Sequence, residues 1–198
     1  MIHAGKVSDL ISKNSWSNGT WLFLDIGFSE KRESSGVLIQ GAEPTRKTFG
    51  EVVKTIKHES SIHGILNLVI ESPLSVAFDK TSGNPVGRSI EKQDQKTRYW
   101  YTGPGCTVMV ATLYLMKAVL STNQKGEIRL FEGFISYKDG KTDDLDDVRR
   151  LRDTVKESKN LADCIINPSN LASKGSEIKS AFEIMGFDFG IPPIIKPL

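Results

Sequence analysis

Three short hydrophobic runs in this chain each stop on an acidic residue: Trp21-Leu22-Phe23-Leu24 on Asp25, Ile65-Leu66-Asn67-Leu68-Val69-Ile70 on Glu71, and Ile128-Arg129-Leu130-Phe131 on Glu132. Runs of this length read as strands, and the stretches between them carry helical spacing, so the chain alternates in the manner of an α/β protein. Strand ends on a common sheet edge are where such folds place chemistry, and carboxylates gathered there make a site for a divalent metal. A fourth acidic element, Asp143-Asp144-Leu145-Asp146-Asp147, opens a stretch that reads as a helix.

At 198 residues and 38% hydrophobic content the chain is long enough for one well-buried core, and a single elaborated domain is expected. A formal net charge of +2 neither demands nor excludes a polyanionic partner. Only Cys106 and Cys164 are present, far apart, which argues against a disulfide framework and against a cysteine-based zinc site. No segment approaches the roughly 18 apolar residues of a spanning helix, and the first residues lack the basic-then-apolar order of a secretory signal. A cytoplasmic protein with no membrane partner is the expectation.

Residues 1–20 are expected to form an N-terminal helical extension, with Val7, Leu10 and Ile11 on one side. Residues 21–158 form the core. Within it, 21–26 and 36–39 read as a hairpin and 46–49 as a fainter strand, while Val52, Val53 and Ile56 mark a helix leading into the strand 65–70. An insertion at 74–104 follows, polar and without strong periodicity, and a loop so long is functional more often than not. The longest helix is expected over 106–120, a strand over 127–136, and a helix from Thr142 to about residue 158 with Leu145, Val148, Leu151 and Val155 as its buried stripe. Residues 159–198 are expected to hold a helix at 176–185 and a proline-rich tail that docks on a partner or on its own domain.

This order resembles the ribonuclease H-like superfamily, and within it the family of predicted ribonuclease H-like nucleases catalogued as a domain of unknown function. The likeness rests on Leu24-Asp25-Ile26-Gly27 with Ser35-Gly36-Val37, Ile70-Glu71-Ser72-Pro73-Leu74, Gly87-Arg88 with a later Arg98, Phe131-Glu132-Gly133-Phe134, and Asp143-Asp144-Leu145-Asp146-Asp147-Val148. It spans residues 21–155. The resemblance implies a mixed sheet flanked by helices, with two divalent ions held by Asp25, Glu71 and an aspartate of the late helix, Asp147 or Asp144. Two features depart from the family pattern: Glu71 stands where an aspartate is usual, and Val148 where a small residue is usual.

The implied activity is metal-dependent hydrolysis of nucleic acid, DNA or RNA. Two magnesium or manganese ions about 4 Å apart can activate a water, stabilise the phosphorane and stabilise the leaving oxygen. The expected catalytic residues are Asp25, Glu71 and Asp147. Glu132 and Asp144 are further candidate ligands, although Glu132 could instead pair with Arg129 or with a loop arginine, and acids at a helix N-terminus favour the macrodipole with no ion at all. Helical spacing separates the four aspartates, placing Asp144 and Asp147 beside the buried stripe and Asp143 and Asp146 toward solvent. Lys31, Arg88, Arg98, Tyr99 and Trp100 are the candidate nucleic-acid contacts, cations tracking phosphates and rings stacking on bases. The rival reading is a non-catalytic module of the same fold, binding nucleic acid or a protein within a larger complex.

Overall fold

Alternation of bulky side chains builds the sheet, and helical spacing covers it. The computed structural model describes residues 1–12, 14–27, 32–93, 96–97, 103–121, 125–135, 143–157 and 161–197, with the backbone alone at 92–93 and 96–97. In chain order the first elements are β1 (Ile2–Ala4), α1 (Val7–Ile11), β2 (Thr20–Asp25), β3 (Ser35–Ile39), β4 (Thr45–Lys47), α2 (Phe49–His63) and β5 (Ile65–Glu71). The inserted segment contributes β6 (Ser75–Asp79), β7 (Pro85–Val86), β8 (Lys92–Gln93) and β9 (Lys96–Thr97). The remainder comprises α3 (Pro104–Leu120), β10 (Glu127–Gly133), α4 (Asp144–Glu157), β11 (Ile165–Ile166), β12 (Ser176–Ser180) and β13 (Ile194–Ile195).

The main sheet runs β11-β13-β10-β5-β2-β3-β4, and β1 adds to the same side of β10 as β13 but along its first half. Strands β2, β5 and β10 are parallel neighbours, whereas β2, β3 and β4 form an antiparallel meander. The protein is therefore an α/β fold with a mixed sheet between helices. Parallel neighbours need crossover connections, and α2 and α3 supply them. Helix α2 starts at Thr48, whose hydroxyl accepts from the Glu51 amide while Glu51 reaches back to the Thr48 amide, a reciprocal cap.

Successive residues of a strand face opposite sides of the sheet. Leu22, Leu24, Leu66, Leu68, Ile70, Ile128 and Leu130 pack under α2 and α3. Their neighbours Trp21, Phe23, Val69 and Phe131 face α4, where Val148, Leu151 and Val155 complete the layer. Trp16, Trp21 and Phe23 cluster, with ring centroids 6.2 Å apart for Trp16 and Trp21, 6.0 Å for Trp21 and Phe23 and 6.4 Å for Trp16 and Phe23.

Three sequence expectations give way here. The N-terminal extension is not purely helical, because Ile2–Ala4 joins β10 as a parallel strand before the one-and-a-half-turn α1 begins. Residues 176–185 are not one helix: Ser176–Ser180 pairs antiparallel with β6, and the Ser180 hydroxyl then caps a 3-10 turn over Ala181–Met185. The alternating Ser-Glu-Ile-Lys-Ser pattern suits a strand, and its partner β6 lies in the insertion that has no periodicity of its own. The insertion is accordingly a small second sheet, β12-β6-β7, rather than an open loop over its first part. Of the two alternatives for the proline-rich tail, Ile194 and Ile195 follow docking on its own domain, buried as β13 against β10. The helix start expected at Thr142 lies outside the described residues. Among the described residues no helix is long and apolar enough to cross a membrane.

Candidate metal centre

One row across the main sheet contains Gly133, Glu71, Asp25, Gly36 and Arg46, each the register partner of the next. Register partners share a face, and this row lies on the face toward α4, in line with Phe23 and Val69 two residues earlier on their strands. The two acids of the row are therefore neighbours on adjacent parallel strands at the carboxyl edge, with glycine on either side.

Those glycines let α4 settle onto the row. A Cβ at Gly36 would lie 2.5 Å from the Asp144 carbonyl oxygen, and one at Gly133 would lie 2.7 Å from a Leu151 methyl. Asp144, Asp147 and Leu151 are one helical turn apart, so the helix crosses the row with Asp144 over β3, Leu151 over β10, and Asp147 between them over the two strand acids. Carboxylate oxygens of Asp25, Glu71 and Asp147 all lie within 4.8 Å of one another. Glu71 is only 4% exposed and Asp147 only 1%.

Taken as an isolated group, three ionised carboxylates at that separation would repel by about 3 kcal/mol per pair at an effective dielectric of about 20. Burial of two of them removes the water that would otherwise moderate this. A donor set of carboxylate oxygens alone, drawn from three different elements, fits a hard divalent cation such as magnesium or manganese and does not suit zinc or copper.

The remaining expected ligands stand apart from this group. Asp144 is half-exposed and faces Arg46, whose Nε lies 3.8 Å from it. Burial raises the Asp144 carboxyl above its ordinary range, Arg46 opposes that rise, and Asp143 and Asp147 add to it. Arg46 is chiefly engaged by Asp143 at 2.6 Å, and the Asp143 carboxyl is held below its ordinary range by the Leu145 amide and by Arg46. Arg46 thus ties the start of α4 to the edge strand.

Glu132 is corrected more sharply, because the sheet parity excludes it. Its register partner is Ile70, not Glu71, so its side chain emerges on the α2 and α3 face, opposite the row. There it meets Arg88, the loop-arginine alternative, with Nη2 2.9 Å from Oε1 and Nη1 2.9 Å from Oε2. Arg88 is correspondingly 0% exposed and cannot touch nucleic acid. Lys31, Arg98, Tyr99 and Trp100 lie outside the described residues.

Sequence reading missed Gly36 and Gly133 as determinants of the site, and Arg46 and Glu91 as charged partners within it or behind it. Both glycines stand within the motifs that carry the resemblance, but only register shows that they align with the acids. Comparison with protein families, with curated proteins and with solved structures finds no match for this chain.

Proposed function

We propose that the protein is a metal-dependent nuclease of ribonuclease H-like fold, with Asp25, Glu71 and Asp147 as the residues that hold magnesium or manganese. The observation that carries this reading is the convergence of those three carboxylates within 4.8 Å, two of them buried. The antiparallel meander followed by helix-linked parallel strands, with the acid-bearing helix laid over the first strand's end, supports the fold assignment.

When bound, the cations would supply Lewis-acid stabilisation of a phosphoryl group and lower the pKa of a water. The chain's own contribution is placement. Strand pairing holds Asp25 beside Glu71, Glu71 is fixed by pairing on both sides of β5, and Asp147 is delivered from above by α4. Arg46, at the end of the same row, leaves a half-exposed guanidinium beside the site.

The test is cleavage of labelled single- and double-stranded DNA and RNA by purified protein with each ion in turn. Cleavage that requires the ion and disappears in Asp25→Asn is the expected result. Calorimetry showing no ion binding near millimolar concentration would instead favour the non-catalytic module.

A further inference from the structure

Behind the acidic row, on the other face of the sheet, lies a joint built from charges and sealed from water. Arg88, Glu91, Ser75 and Glu132 are all fully buried. The Arg88 guanidinium donates to Glu132 Oε2 at 2.9 Å, to Glu91 Oε1 at 3.1 Å and to Ser75 Oγ at 3.0 Å, its Nη2 forms an ion pair with Glu132 Oε1 at 2.9 Å, and its backbone amide donates to Glu91 Oε2 at 2.8 Å. Burial by itself disfavours the guanidinium charge, but Glu132 and Glu91 more than reverse that and raise its pKa. Well-packed apolar residues would serve stability about as well as such a buried ionic joint, so stability alone does not account for it.

What the joint grips is the chain that leaves β5. Pairing with both neighbouring strands ends at Glu71, the Ser72 amide turns back to the Ile70 carbonyl, and Pro73 has no amide to donate. The next anchor is Leu74, whose amide donates to Glu132 Oε2 at 2.8 Å and whose carbonyl accepts from Ala181. Glu132 itself precedes Gly133, the register partner of Glu71. One carboxylate therefore locks the exit of β5 to the end of β10, three residues beyond Glu71.

We propose that Arg88 and Glu132 are positioning residues for Glu71, fixing its strand end through Leu74 so that the metal ligands stay converged. This rests on the metal reading of the three acids. Neither residue touches the ion; both act through the backbone of residues 71–74.

Manganese titration of wild type, Glu132→Gln and Arg88→Lys, by calorimetry and by the paramagnetic resonance of the ion, tests it, with thermal melts as the measure of folding. Folded variants are expected to bind manganese about tenfold more weakly, the scale seen when the supports of metal ligands are removed. A purely structural joint would lower the melting temperature and leave the affinity of the folded fraction unchanged, and that result overturns the proposal. Should both variants fail to fold, Ser75→Ala decides, since it removes a single acceptor from Arg88: an affinity lower by about twofold supports the joint, and an unchanged one overturns it. Wild type that binds no manganese overturns the metal reading along with this inference, whereas tight wild-type binding with unaffected variants overturns this inference alone.

Discussion

Gly36 lies directly beneath the carbonyl oxygen of Asp144, so close that a single methyl group on Gly36 would come within 2.5 Å of it. That oxygen belongs to helix backbone and cannot swing aside. Gly36→Ala must lift or slide α4, and Asp147 moves with the helix. The expected outcome is a loss of stability of about 1–3 kcal/mol together with loss of manganese binding. Gly133→Ala makes the contrast, because the atom it meets is the end of the Leu151 side chain, which can change rotamer. It should cost stability but retain ion binding, and parallel denaturation and calorimetry on the two variants would check the difference.

Removing a carboxylate from the acidic group should have opposite effects with and without metal. Asp25→Asn removes one partner from two repulsive pairs, each of about 3 kcal/mol before relaxation, so the ion-free variant should melt higher than ion-free wild type. With magnesium at about one hundred times its dissociation constant, wild type gains about 2.7 kcal/mol by mass action, and the variant gains little. Melting curves in chelator and in magnesium test this crossing. Equal shifts in both proteins would remove the basis for an ion at these acids.

The strand-end acids were legible because each ended a hydrophobic run, and helical spacing set Asp144 and Asp147 apart from Asp143 and Asp146. The face on which each strand-end acid emerges was not legible. Glu71 and Glu132 look equivalent in sequence, yet the β5 and β10 register sets Glu71 against Gly133, and one residue of offset sends Glu132 to the opposite layer. Residues 176–180 were read as helix because a strand partner 97 or more positions earlier, at Asp79 and before, leaves no trace in local periodicity. Arg88 read as a loop cation for the same reason: its two buried carboxylates come from 3 and 44 residues away.

Glu91 gives the protein a stability dependence on pH that differs from that of its exposed acids. Burial raises its carboxyl above the ordinary value of 4.5, and the Arg88 charge and hydrogen bonds only partly offset that rise. The native state therefore keeps a proton that the unfolded chain has already released, so stability falls as pH climbs from 4.5 through the native value and levels off above it. Carboxylates held low, such as Asp79 by the Ser82 and Thr81 amides, act in a separate window below their ordinary 3.8. Glu91→Gln should flatten the decline above 4.5 and leave the acid limb in place, which melting temperatures measured across that range would show.

The tail offers the last check, because its position links the fold's edge to the site. Ile195 is fully buried and packs in the layer containing Val148, Leu151 and Phe131, while its backbone pairs with Gly133 at the end of the acidic row. Ile194 faces the other way, on the side of its register partner Glu132, among Ile90, Phe134 and Leu171. Truncating either side chain to alanine leaves a cavity in a closed layer, at a cost of about 2–5 kcal/mol. Lys196→Ala, just beyond, removes no buried side chain and serves as the control. A tail that served to reach outward to a partner would give the reverse pattern, with unchanged denaturation midpoints for Ile194→Ala and Ile195→Ala. The packing on both faces of the sheet predicts that both midpoints fall.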